Sequence, residues 1–220
     1  MTTLLLHAFP LDGRMWEPQR SALGGDVVVP RLYGRGNRFD SWAQEILEEV
    51  PGELVVVGAS MGGYCALELA RQAPERLRGL VLVGSRVDAD PPDRREGRAA
   101  TIALIREQGV EALWEDMRPK LLSAEADADV VAFARQIALE QSPDDLVAAI
   151  EAIRDRRDST DVVAALDCPV LFAVGTSDPF VSPPEAPPAA ELRTFPTGHL
   201  VNLEQPDEFN AVLTGFLARA

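Results

Sequence analysis

The stretch that most constrains the fold is residues 54–71, in which a strand turns directly into a helix around one serine. Four consecutive apolar residues, Leu54–Val57, predict a buried parallel strand, and residues 64–71 have the spacing of a helix. Between them the chain reads Gly-Ala-Ser-Met-Gly, with Ser60 at the centre. So tight a turn leaves no room for side chains beside the serine, which explains the glycines at 58 and 62.

This turn predicts a nucleophile and half of an oxyanion hole. The backbone N–H of Met61 falls at the beginning of the helix, where it has no intrahelical acceptor and can point at a negative oxygen forming beside Ser60. Short patterns of this kind also recur by chance, and the serine of some other α/β protein could be only a helix cap. The strand before the motif and the helix after it favour the catalytic interpretation.

Strand and helix patterns alternate along most of the chain, which predicts a mainly parallel, doubly wound α/β sheet with right-handed crossovers. From residue 86 to residue 161 the strand pattern stops and helical stretches take its place. We therefore expect one α/β core, formed by residues 1–85 and 162–220, with residues 86–161 inserted between two strands as a helical cap. The predicted strands are Leu4–Leu6, Val27–Val29, Leu54–Val57, Leu80–Val83, Val170–Val174 and Leu192–Phe195.

The predicted helices flank these strands and fill the insertion. A proline-rich run at residues 182–188 is too short for a linker and is expected to stiffen a loop. The core helices are predicted at Met15–Leu23, Trp42–Val50, Tyr64–Arg71 and Pro206–Ala218, and the cap helices at Arg94–Gln108, Val110–Met117, Asp127–Glu140 and Pro143–Arg157.

Composition excludes several classes of partner. A formal net charge of −14 argues against nucleic acid and anionic membranes, which would repel such a surface. No apolar run approaches the roughly 20 residues of a membrane span, and the chain enters its first strand without a charged leader, so we expect a cytoplasmic protein. The two cysteines, Cys65 and Cys168, suit neither a disulfide framework nor a metal cluster. We interpret both as small buried apolar residues and expect neither a metal nor an organic cofactor.

The chain contains two histidines, and both follow predicted strands at the edge of the sheet where Ser60 lies. His199 follows the last strand and comes after every candidate acid, so it is the better candidate for the base that a serine nucleophile needs. It could also be a solvated loop residue. His7 follows the first strand, and we interpret it as a residue that shapes its loop.

Asp178 is the first candidate for the acid that orients the base. It follows the strand Val170–Val174 directly, and a carboxylate there could hold the imidazole of His199 in one tautomer. An Asx turn before Pro179 is the simpler interpretation of the same residue. Asp88, which follows the preceding strand, remains the alternative acid.

Together these motifs resemble the α/β-hydrolase family over nearly the whole chain. The resemblance is carried by residues 7–12, by residues 58–62, by residues 168–178 and by residues 198–206. It implies Ser60 as nucleophile, His199 as base and Asp178 as acid. The backbone N–H groups of Phe9 and Met61 would be the two oxyanion donors. The opening of the cap, residues 90–98, is similar to the enol-lactonase and small carboxylesterase branch.

The resemblance implies hydrolysis of a small carboxylic ester or lactone through an acyl-enzyme. C–C bond hydrolysis, perhydrolysis and acyl transfer by the same three residues stay open, as does a ligand-binding protein with the shell of a hydrolase. Arg98 or Arg135 would suit a substrate carboxylate. The candidate substrate contacts are Phe9, Met61 and, in the cap, Trp114, with Met117, Phe133 and Ile137 as further cap residues whose helical spacing suits a core position equally well.

Overall fold

In the computed structural model of the chain, which describes residues 1–181 and 190–220, six strands form one sheet. The strand order is β2-β1-β3-β4-β5-β6, and every neighbouring pair is parallel. The predicted proline-rich loop at 182–188 lies outside the described residues. The strands are β1 (Thr2–Leu6), β2 (Asp26–Val28), β3 (Leu54–Ala59), β4 (Leu77–Val83), β5 (Val170–Gly175) and β6 (Glu191–Phe195).

Helices connect the strands and cover both faces of the sheet, so the predicted doubly wound sheet with a helical insertion is confirmed. Two short 3₁₀ helices, Gly13–Trp16 and Pro74–Arg76, complete the described elements. The core helices are α1 (Glu17–Ala22), α2 (Phe39–Glu49), α3 (Met61–Gln72), α8 (Val201–Glu204) and α9 (Pro206–Leu217), and between β4 and β5 come α4 (Pro92–Leu121), α5 (Ala128–Leu139), α6 (Pro143–Arg154) and α7 (Thr160–Ala164).

The element bounds differ from the predicted ones where local signals are weak. α4 replaces two predicted helices, and the chain bends between them at Gly109, whose φ of 82° is not helical. α3 begins at Met61, three residues before its predicted start, because Gly62 and Gly63 hide the helical pattern. α7 and α8 are five and four residues long, too short to show a helical period.

The unbroken apolar runs of the strands follow from their burial on both sides. Alternate side chains of a strand point to opposite faces of a sheet, and here each face meets an apolar layer. Leu54 and Val56 of β3 pack in the layer that contains α2 and α3. Val55 and Val57 pack in the opposite layer, with α8 and α9.

The helical insertion is continuous with these layers. Leu113 and Trp114 are neighbours on α4, yet one packs in the first apolar layer and the other in the second. The division of the chain into a core (1–85 and 162–220) and a cap (86–161) remains a prediction. None of the described helices is both long enough and apolar enough to cross a membrane. Cys65 is buried and Cys168 half-buried, and both are free thiols.

Candidate active site

Ser60 lies in the tight turn between β3 and α3, as its sequence context predicts. Its φ of 50° and ψ of −110° are rare for a residue with a side chain, and its N–H donates to Val83 O at 2.8 Å. A Cβ placed on Gly62 would lie 2.2 Å from Leu6 O, and one on Gly58 would lie 2.5 Å from Gly62 O. The glycines therefore allow α3 to pack directly against the strands, which holds the strained serine at the edge of the sheet.

His199 and Asp178 form a buried pair at the same edge. The imidazole Nδ1 lies 2.8 Å from Asp178 Oδ2, and the two side chains are 2% and 0% exposed. The other carboxylate oxygen, Oδ1, accepts the N–H groups of Phe180 at 2.7 Å and Val181 at 3.2 Å. Asp178 therefore forms the Asx turn that the sequence suggested, and its second carboxylate oxygen contacts the imidazole of His199.

The loop that carries His199 is fastened to the end of α4. The N–H groups of His199 and Leu200 both donate to Leu121 O. Glu204 accepts the N–H of Gly198 at 2.9 Å with one oxygen and bonds Ser123, just beyond α4, with the other. The position of this imidazole therefore depends on the cap, a role of Glu204 that the sequence pattern did not indicate.

His7 is placed differently, and it fits its interpretation as a loop-shaping residue. Its Nε2 accepts the N–H of Leu32 at 3.1 Å, which leaves Nδ1 to donate to Ala8 O at 3.2 Å. Burial lowers the pKa of His7 to about 4, so the ring is neutral at pH 7. Both nitrogens are thus occupied by backbone groups of two adjacent loops.

Asp88, the alternative acid, is engaged elsewhere. Its carboxylate binds the guanidinium of Arg86, with Nε 2.7 Å from Oδ1, and the Asp88 side chain is 38% exposed. The carboxylate beside His199 is that of Asp178.

A cleft lies between the edge of the sheet and the cap. It brings Ser60, His199 and Phe9 together, whereas the side chain of Met61 is fully buried and its N–H is in the first position of α3. The lining residues are Phe9, Ser60, Tyr64, Arg94, Arg98, Met117, Leu121, Ile153, Phe180 and His199.

Trp114, the expected cap contact, does not line this cleft. It is 2% exposed and packs in one apolar cluster with Ala134 and Ile137 of α5. Met117 does line the cleft, because it is about one helical turn closer to the end of α4 that meets His199. Phe133 is 36% exposed and lies on the surface.

Five lining residues were not identified from the sequence, and one of them is Leu121, the last residue of α4. Tyr64 comes four positions after Ser60 on α3, so helical geometry could have placed it on the same side. Phe180 follows Asp178 by two residues, and its ring centroid lies 4.8 Å from that of His199 in an edge-on contact. Arg94 and Ile153 belong to the cap, and no local signal reveals which of its faces covers the cleft. Of the two arginines considered, Arg98 lines the cleft.

Arg135 lies outside the cleft and pairs with Glu111 at the surface. Across residues 1–181 and 190–220, no three His, Cys, Asp or Glu side chains are grouped so that they could hold a metal ion.

The fold and this edge of the sheet define the class of protein. The model of the alpha/beta hydrolase family matches residues 3–212, and the chain belongs to this family. It is 30% identical to a pimeloyl-[acyl-carrier protein] methyl ester esterase of Nitrosomonas europaea, over 94% of this chain and 91% of that protein.

Solved structures agree with this assignment. A thermophilic esterase from Thermogutta terrifontis, solved with malate bound, superposes with a TM-score of 0.92 at 32% identity and covers 100% of this chain and 90% of its own. The enol-lactonase from Burkholderia xenovorans LB400 superposes with a TM-score of 0.86 at 22% identity, over 99% of this chain and 91% of its own, which supports the fold alone.

Proposed function

We propose that the protein is a serine hydrolase that cleaves a small carboxylic ester or lactone through an acyl-enzyme on Ser60. One observation carries the proposal: a buried carboxylate, Asp178, binds one nitrogen of His199, and this imidazole shares a cleft with a serine held in a strained strand-to-helix turn. A serine hydroxyl is a weak nucleophile at neutral pH, and this arrangement supplies the base that activates it.

In this mechanism each residue has one task. Asp178 keeps the proton of His199 on Nδ1, which leaves Nε2 free to take the proton of Ser60 as its oxygen attacks the substrate carbonyl. The backbone N–H groups of Phe9 and Met61 stabilise the oxyanion. The imidazolium then protonates the leaving alcohol, and an acyl-enzyme remains. Water, deprotonated by His199, attacks that acyl group, and the imidazolium returns the proton to the serine oxygen as the acid leaves.

The substrate class is inferred from the relatives. The similar proteins are described as a methyl ester esterase and as a thermophilic esterase with malate bound, so an ester bond is the favoured target. A phenyl or methyl ester of a short acid is therefore a suitable test substrate.

The test replaces the nucleophile and a neighbouring serine in parallel. Ser60→Ala should lower the kcat for small p-nitrophenyl esters by about 10⁴-fold or more, with the melting temperature unchanged. Ser177→Ala, in the exposed loop beside Asp178, should leave turnover intact. Turnover that survives in Ser60→Ala would refute the proposed function.

A further inference from the structure

The cleft carries positive charge although the chain as a whole is strongly acidic. The formal net charge of the protein is −14, yet the charged side chains of the cap that line the cleft are two arginines, Arg94 and Arg98, from the first two turns of α4. Guanidinium groups in a substrate cleft are a strong means of binding a carboxylate, because the fork of N–H donors matches its two oxygens.

Arg98 already has a counter-charge. Its Nε lies 3.0 Å from Oδ2 of Asp90, whose side chain is 0% exposed. The second oxygen of Asp90 lies 2.6 Å from a terminal nitrogen of Arg156, which is itself buried. One buried carboxylate thus stands between two guanidinium groups, so this cluster retains one positive charge, and the Nε of Arg98 is held by Asp90.

Arg94 has no such partner. Among the described residues, no carboxylate lies within 4.0 Å of its guanidinium. Its polar contact is with Phe180 O, at 3.4 and 3.5 Å, which is the outer limit for a hydrogen bond. A half-buried guanidinium with one weak acceptor keeps most of its donors for a ligand in the cleft.

We propose that Arg94 is a specificity-determining residue that binds a carboxylate on the substrate, and that the substrate is a half-ester of a short dicarboxylic acid. This inference rests on the proposed function, because the ester bond must reach Ser60 while the free carboxylate reaches Arg94 in the same cleft. The excess positive charge around Asp90 favours the same anion over a neutral acyl group of equal length.

The experiment compares two chromogenic esters of equal chain length, 4-nitrophenyl hemiglutarate and 4-nitrophenyl valerate. Arg94→Met should lower the kcat/KM for the hemiglutarate by about 10- to 100-fold, mainly through KM, because a charge-assisted bond in a cleft is lost. The valerate should change by less than about 5-fold. Equal loss for both esters, or an unchanged hemiglutarate, would overturn the assignment.

Arg95→Met is the matched control. Arg95 is the next residue of α4 and carries the same charge, but it binds Asp155 and Arg154 O at the surface and does not line the cleft. This variant changes the net charge of the protein equally, so both esters should keep their wild-type kcat/KM. A loss for the hemiglutarate as large as that in Arg94→Met would make the effect one of net charge alone.

A binding measurement separates this inference from the proposed function. If the wild-type protein hydrolyses neither ester, the proposed function fails, yet glutarate should still raise the melting temperature of Ser60→Ala and pentanamide should not. Adding Arg94→Met to Ser60→Ala should abolish that rise. An equal rise in both variants, or no rise with glutarate in Ser60→Ala, would refute the role of Arg94.

Discussion

Two loops at the carboxyl edge of the sheet each carry one of the two histidines, and they use the ring in opposite ways. In the loop after β1, both nitrogens of His7 bond to backbone groups, and the fully buried ring is neutral. In the loop after β6, His199 gives Nδ1 to the carboxylate of Asp178 and lines the cleft. Position at this edge therefore does not by itself distinguish the candidate base from a structural histidine. The hydrogen-bond partners of the two rings do differ, and they make His199 the candidate.

The same two loops are both fastened to the cap by an acidic side chain. Asp12, at the end of the first loop, accepts a hydrogen bond from Gln141 beyond α5 at 2.9 Å. Glu204 bonds Ser123 beyond α4 and holds the second loop. The loop expected to supply the oxyanion donor and the loop of the expected base are thus each hydrogen-bonded to the cap. A shift of the cap would therefore change the geometry of the cleft.

The largest expected effect separates the two candidate acids. In Asp178→Asn an amide N–H₂ would face Nδ1 of His199, which favours the tautomer that carries its proton on Nε2 and cannot accept the serine proton. The kcat for p-nitrophenyl esters should fall by about 10⁴-fold.

Asp88→Asn is the control for that variant. Because Asp88 binds Arg86 and not the imidazole, its kcat should remain within about 5-fold of wild type. A similar loss of kcat in both variants would mean that the contact between Asp178 and His199 is not what supports turnover.

A smaller effect concerns the buried neutral ring of His7. Its pKa is about 4 in the folded protein against 6.5 in the unfolded chain, so between these values the unfolded state binds a proton that the folded state does not. Stability that this histidine contributes above pH 6.5 is therefore lost as the pH falls towards 4. From about pH 7.5 to pH 5 the free energy of unfolding should therefore fall by about 2 kcal/mol, measured by guanidinium unfolding at both pH values.

His7→Gln isolates that contribution. The oxygen of a glutamine amide can take the place of Nε2 and accept the N–H of Leu32, so the loop keeps that hydrogen bond without a titrating group. Between pH 7.5 and pH 5, the free energy of unfolding of the variant should fall by about 2 kcal/mol less than that of wild type, with ester turnover preserved. An identical pH dependence in the two proteins would contradict the neutral, buried state of His7.

The positions of Ser60, Asp178 and His199 at one edge could be predicted because each follows a strand directly. Parallel strands end at the same edge, so strand ends in the sequence become neighbours in space. The turn at Ser60 could also be predicted from the sequence. Glycine is required at positions 58 and 62 because a Cβ there would clash with neighbouring backbone atoms. What their side chains do chemically remains a proposal.

The wall of the cleft could not be predicted, because it depends on how the cap lies over the sheet. α4 has apolar side chains in both layers, Leu113 in one and Trp114 in the other, so its periodicity does not single out the face that covers the cleft. Arg98 and Arg135 were equivalent as sequence, yet Arg135 pairs with Glu111 outside the cleft. That Arg94 lines the cleft without a carboxylate partner among the described residues follows only from the contacts of each arginine.

The most direct test of the account is labelling with a small fluorophosphonate, followed by intact-mass and peptide analysis. This probe requires an activated serine and a working oxyanion hole, and no knowledge of the substrate. Wild type and His7→Gln should each gain one adduct on Ser60, and His199→Ala should gain none over the same time. Absence of an adduct on the folded wild-type protein, or equal labelling of His199→Ala, would contradict the claim that His199 activates Ser60.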